Sequence, residues 1–223
     1  WSSDVCSSDL VRRPPLTLRF SKRVKRSEVL RSWNKSGSVP VKVTETAISP
    51  LGLELADYAP VFHLPEYERG EFEIQDEGSQ LMSLFALDAQ AGLGALQAEP
   101  GPVHTSRQTV VSLPDHPWSS FRVVDACAGV GGKSLAMADI MGGQGRVFSY
   151  DISDRKIQAL KRRARHANLN NIQGVPVPEG QELEFLSKFK KSAISPPSAS
   201  GRYLPSFLLP GCFASVTRPA SLP

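Results

Sequence analysis

Apolar residues recur along this chain at two periods, and the change from one to the other marks its elements. In PPLTLRF (residues 14–20) they alternate with polar ones after a proline pair, which predicts a half-buried strand. SEVLRSWNKSG (27–37) follows at helical spacing, with Val29, Leu30 and Trp33 on one face, Ser27 as the expected N-cap and Gly37 as the stop. VPVKVTE (39–45) and LGLELADY (51–58) predict two further strands. GEFEIQDEGSQLMSLFALDA (70–89) turns from a short strand into a helix whose apolar face is Leu81, Leu84, Phe85 and Leu87, with Gln75, Asp76 and Glu77 at its positive end. Residues 92–117 carry Gly, Pro, Gln and Ser without a period and predict an exposed loop.

The pattern then becomes regular. FRVVDA (121–126) is an apolar run of strand length that feeds through CAGVGGKS into LAMADIM at helical spacing. GRVFSYD (145–151) repeats the strand, and DRKIQALKRRARHAN (154–168) the helix, with Ile157, Leu160 and Ala164 on one side. Strand, glycine turn, helix, strand, helix predicts parallel strands joined by a right-handed crossover.

Composition changes this picture little. The formal charge is +4, and setting aside Asp4 and Asp9 makes it more positive, which is compatible with a polyanionic partner. Those two residues fall in WSSDVCSSDL (1–10), which reads like a translated sequencing adapter and is set aside from the fold. Besides Cys6 the cysteines are Cys127 and Cys212, too few for a disulfide framework. With no long apolar run, the expectation is a soluble, cytoplasmic monomer with no membrane partner. His63, His104, His116 and His166 show no metal spacing, so no metal site is expected. Arg19, Lys22, Arg23, Lys25 and Arg26 form a basic run, either an RNA-backbone contact or a solvated loop. KRRARH (161–166) allows the same two readings.

The candidate chemistry lies in DACAGVGGKS (125–134). A phosphate loop needs Gly, four residues, then Gly-Lys-Ser/Thr, and Cys127 stands where its first glycine should be. The dinucleotide pattern G-x-G-x-x-G is not in register either. A glycine turn at the carboxyl edge of one strand, with an acidic residue ending the next, still suits an adenosine cofactor. Asp151 stands about 26 residues after Asp125, near the ~20-residue offset at which such a carboxylate accepts the ribose hydroxyls. The plainer alternative is a tight turn followed by an acidic helix cap.

QDEGSQL, DACAGVGGKSLAMA, GRVFSYDISDRKIQALKRRARHANLNNIQ and PPLTLRF together resemble the Sun-type RNA (cytosine-5)-methyltransferases, in particular the bacterial 16S ribosomal RNA enzymes, over about residues 14–173. The resemblance implies an α/β fold: a small α+β RNA-binding module (11–67), then a Rossmann-like S-adenosylmethionine-dependent methyltransferase domain (68–191), incomplete here, and an aberrant Ser/Pro-rich tail (192–223). It implies that Cys127, Ala128, Gly129, Val130, Gly131, Gly132 and Lys133 wrap the methionine part of S-adenosyl-L-methionine, that Asp151 holds the ribose and that Arg155 sits beside it. Glu179 falls near the family's acidic adenine contact. The partner implied is RNA, ribosomal first and transfer RNA second.

In that family a cysteine thiolate adds to carbon 6 of cytosine so that carbon 5 can attack the methyl group, and a second cysteine assists release. This chain departs from the pattern at both. ISPPSASGRY (194–203) aligns with the block that carries the second cysteine, and puts Ile194 at its Asp and Pro197 at its Cys. No Thr-Cys-Ser follows, and Cys212, in LPGCFAS, lacks a strand signal or partner. No catalytic residue is therefore assigned. Six prolines in the 32 residues from Ser192 argue against a central strand there, as a frame-shifted tail or a degenerate paralogue would. Three readings stay open: the RNA methyltransferase, a non-catalytic RNA- and cofactor-binding relic, and a small-molecule class I methyltransferase.

Overall fold

The computed structural model describes residues 15–91, 118–178, 180–181, 207–209 and 212–217. The expectations for WSSDVCSSDL, for the 92–117 loop, for Glu179 and for Ile194 and Pro197 lie outside these residues.

The first sheet is antiparallel, in the order β2-β3-β1-β4, from β1 (Leu16–Phe20), β2 (Val43–Glu45), β3 (Gly52–Leu55) and β4 (Phe72–Ile74). α1 (Arg26–Ser36) packs on it through Trp33, whose ring meets Phe20 and Phe72 at 5.7 and 6.2 Å between centroids. Its chain ends in a left-handed Gly37, as the sequence suggests, but begins one residue before Ser27, with Lys25 at the cap position and no side-chain acceptor. A short α2 (Pro65–Glu68) precedes β4. Since β4 pairs with β1 from Phe72↔Phe20 to Ile74↔Leu18, the first sheet continues past the boundary expected at Tyr67.

α3 (Glu77–Ala91) then crosses to the second sheet, burying Leu84 and Leu87, with Leu81 half-buried and Phe85 41% exposed, so the expected apolar face is narrower than four residues. β5 (Arg122–Asp125), α4 (Gly132–Ile140), β6 (Arg146–Asp151) and α5 (Asp154–His166) follow in the expected order, and a strand that the spacing did not predict, β7 (Ile172–Pro176), comes after them, with β5, β6 and β7 parallel. Ile157, Leu160 and Ala164 of α5 are buried on one side, as their spacing requires. Pro176 is tolerated because β7 is an edge strand. On the other side of β5 lie β8 (Phe207–Leu209) and β9 (Cys212–Thr217), giving the order β7-β6-β5-β9-β8. β9 runs antiparallel to β5, from Arg122↔Thr217 to Asp125↔Ala214. The expectation that prolines would bar an inner strand fails because Pro210 and Pro219 flank a proline-free stretch long enough to pair. The molecule is thus an α/β protein with a mixed, Rossmann-like second sheet.

β1 joins the two units. Alternation predicts one wet face, yet Thr17 and Arg19 are buried along with Leu18 and Phe20. Leu18 and Phe20 belong to the first core, and Arg19, on the opposite face, reaches Asp139 of α4 at 3.1 Å. Asp139 also accepts from Ser21 Oγ at 2.7 Å and from the Lys22 amide at 3.1 Å.

Candidate functional site

The glycine turn begins where β5 ends. Asp125 is buried, and its carboxylate accepts from Ser134 Oγ at 2.7 Å and from the Cys127 amide at 3.4 Å. Burial pushes its pKa up, against the opposing pull of the Ser134 and Cys127 hydrogen bonds. Ser134 in turn accepts from Ser149 Oγ of β6 at 2.9 Å. These bonds argue against a phosphate loop. In that loop the Ser/Thr hydroxyl holds a metal ion, whereas Ser134 is fully buried and tied to a carboxylate.

The turn is drawn against β6. The Ala128 amide donates to Tyr150 O at 2.8 Å, and the Gly129 amide donates to Asp151 Oδ2 at 2.9 Å. The other oxygen of Asp151 accepts from the Ser153 amide at 2.9 Å, and Lys156 Nζ stands 3.9 Å from it. Gly129 has φ +56°, and a side chain there would meet nothing within 4 Å, so the space above it is open. Gly131 is different. It caps α4 with φ +93°, and a Cβ would lie 2.7 Å from Leu160 Cγ, so only glycine lets the turn sit on α5. Arg163 fixes the turn from the side, donating to Val130 O at 2.9 Å and to Glu73 at 2.8 Å.

Of the expected site residues, Gly129 and Asp151 are in direct contact, with Ala128, Val130, Gly131, Gly132 and Lys133 continuing the same turn. Cys127 is exposed at its start. Arg155 is exposed on the first turn of α5, and the cation near Asp151 is its neighbour Lys156. Val130 and Ile152 are exposed apolar side chains, 48% and 56%, flanking the Gly129–Asp151 bond in sequence. Cys212 opens β9, opposite Leu209, and so does have a strand around it.

The basic run is only partly free, because several of its side chains make internal bonds while Lys22, Arg23 and Lys25 remain exposed. Arg19 is buried against Asp139, Lys22 Nζ donates to Ile140 O, Arg23 to Ala167 O, and Arg26 to Ser49 O and Gly52 O. Lys25 is left at the surface beside Glu28. Within KRRARH, Arg163 and His166 turn inward, the latter with its ring 4.7 Å from Tyr67, while Lys161, Arg162 and Arg165 are exposed. The contacts of QDEGSQL were also hidden from the spacing. Asp76 accepts from the Ser79 amide and caps α3, Glu77 accepts from the amides of Ile48 and Ser49, and Gln80 bonds Ser49 Oγ and Gln75 O.

No family model matches the sequence, and no curated protein matches it. Solved structures do match the fold. PH0851 aligns with TM-score 0.55 at 17% identity, over 78% of this chain and 32% of that one. A methyltransferase homolog protein from Pyrococcus horikoshii aligns with TM-score 0.53 at 16% identity, over 78% and 48%. NSun6 from Pyrococcus horikoshii, solved with SFG, an analogue of S-adenosylmethionine, aligns with TM-score 0.54 at 11% identity, over 78% and 60%. The chain therefore spans between about a third and three fifths of these proteins. The likeness establishes a Rossmann-like α/β fold.

Proposed function

We propose that this chain is part of an S-adenosylmethionine-dependent RNA (cytosine-5)-methyltransferase, of the kind that modifies ribosomal RNA, with transfer RNA as the second candidate. The observation that carries the cofactor reading is the Asp151 carboxylate at the end of β6, bonded to an open Gly129 across the mouth of the turn. Each of its oxygens takes one backbone amide and keeps a lone pair for a ribose hydroxyl. Ile152, exposed beside it, offers an apolar surface to an adenine ring. The turn from Cys127 to Lys133, ending at the uncapped start of α4, suits the charged amino-acid part. When bound, the cofactor supplies an electrophilic methyl group.

RNA is favoured over a small-molecule acceptor by the exposed cations of α5, Arg155, Lys161, Arg162 and Arg165, which share its outer side. With Arg19 buried and Lys22, Arg23 and Arg26 bonded to backbone carbonyls, this helix offers the larger set of unengaged cations for phosphate. Transfer to cytosine carbon 5 needs a cysteine nucleophile, and this sequence has no Thr-Cys-Ser and has Pro197 at the family's other cysteine. That observation favours the second reading for the chain as it stands, a cofactor- and RNA-binding body without turnover.

Incubation with methyl-labelled cofactor and ribosomal or transfer RNA, followed by nucleoside analysis, tests this. The expected result is RNA retention that weakens steeply with salt, and no 5-methylcytosine. Formation of 5-methylcytosine would show that this chain is catalytic as it stands. A methylated small molecule, with indifference to RNA, would replace the RNA reading altogether.

A further inference from the structure

Gln75 lies between β4 and α3 and is only 7% exposed. Its Oε1 accepts from Arg19 Nε at 2.7 Å. Because a guanidinium only donates, this bond decides which end of the amide faces Arg19 and sends Nε2 the other way. That nitrogen is buried and has no hydrogen-bond partner. A donor left without an acceptor in the interior is costly, and such atoms are rare enough to need a reason.

Its direction is given by Gly132. A Cβ built on that glycine would have Gln75 Nε2 as its nearest neighbour, at 3.9 Å, so the space of about one atom separates the amide from the first residue of α4. The helix has nine residues, and its cap Gly131 supplies no side-chain acceptor, so its first-turn amides and positive dipole end face the same region. Lys133 adds a positive charge, which acts on both Asp76 and Asp125. The nearby carboxylates are already engaged, Asp76 by Ser79 and Asp125 by Ser134. The orphan amide and the helix start are thus both donors facing a gap that an anionic oxygen would fill.

We propose that Gln75 Nε2 donates a hydrogen bond to a carboxylate oxygen of the cofactor's amino-acid part, with Arg19 as the positioning residue that holds the amide in this sense. The inference rests on the S-adenosylmethionine reading above. It also gives the unit that contains β1 a hand in cofactor binding, because Arg19 is anchored there and on Asp139.

Two nucleosides separate the outcomes. S-Adenosylhomocysteine carries the amino-acid part, and methylthioadenosine keeps the adenosine and thioether without it. Both are titrated calorimetrically into the full chain and into Gln75→Glu, which keeps an acceptor for Arg19 but loses the donor and adds a negative charge. Affinity for S-adenosylhomocysteine should fall at least about tenfold, as expected for a hydrogen bond to a charged group, while methylthioadenosine binds as before. An equal loss for both nucleosides would reduce Gln75 to a structural role and overturn the proposal. Unchanged binding of both would mean that the amide is served by water, and would overturn it while leaving the cofactor reading intact. If the unaltered chain bound neither nucleoside, both readings would fall together.

Discussion

Asp139 sits in the last turn of α4, where a carboxylate between Ala138 and Ile140 looks like a surface residue, yet it is 3% exposed and receives three donors from the β1 end. Burial pulls the Arg19 guanidinium below its usual value, and the Asp139 and Glu73 carboxylates work against that pull. Replacing Asp139 by Ala leaves a buried cation unpaired, so thermal or urea unfolding should show a loss of about 3–5 kcal/mol. Gly131→Ala should lose about 1–3 kcal/mol in the same assay, since it forces an L-residue to φ +93° with its Cβ against Leu160. Gly129→Ala has the same backbone handicap but open space above it, so its effect should fall more on cofactor affinity than its strain alone explains. The glycine turn and Asp151 were legible as residue types in order. The partners of Arg19, Lys22, Arg23 and Arg26 were not, because a run of like charges says nothing about which carbonyls and carboxylates another unit will bring to it.

At the scale of elements, α3 shows what a pattern can and cannot reveal. Its position and apolar side follow from the spacing of Leu81, Leu84 and Leu87, but the work of QDEGSQL depends on a loop some thirty residues upstream that only the fold brings near. Asp76 caps the helix. Burial pushes its pKa up, but hydrogen bonds from Ser79 outweigh this and hold it below the ordinary 3.8. Its stabilising contribution is therefore complete above 3.8 and is lost as pH falls through the lower folded value. Asp125 acts in the other direction. Raised by burial, its ionisation weighs against the fold as pH climbs from 3.8 towards its folded value. In acid titrations followed by circular dichroism, Asp76→Asn should flatten the loss of stability below 3.8, and Asp125→Asn should flatten the loss above it. β9 is the element that sequence reasoning missed most plainly. Counting prolines across the segment concealed that Cys212–Thr217 contains none.

For the molecule as a whole, the parallel pairing of β5 and β6 was legible because two apolar runs are joined through a glycine turn and a helix, whereas β7 was not, since Ile172–Pro176 shows no apolar run of strand length. That both faces of β1 are covered was not, since alternation in a strand carries no sign of a second unit packed on its polar side. Among the described residues, α5 carries four exposed cations on one side, Arg155, Lys161, Arg162 and Arg165. Arg162→Glu combined with Arg165→Glu should weaken RNA retention and lower the slope of log affinity against log salt by about 2, if both side chains contact phosphate. Unchanged retention and slope in filter binding would remove α5 from the RNA surface. Among the described residues no helix is long and apolar enough to cross a membrane.

The central claim is that the turn from Cys127 to Lys133 and the carboxylate of Asp151 bind an adenosyl amino acid. Its most direct test is equilibrium titration of the full chain and of Asp151→Ala with S-adenosylhomocysteine, and separately with magnesium ATP. The account predicts saturable binding of S-adenosylhomocysteine, lost in Asp151→Ala, and none of ATP. Saturable ATP binding that survives Asp151→Ala, with S-adenosylhomocysteine ignored, would contradict it and return the Gly-Lys-Ser sequence to the phosphate-loop reading.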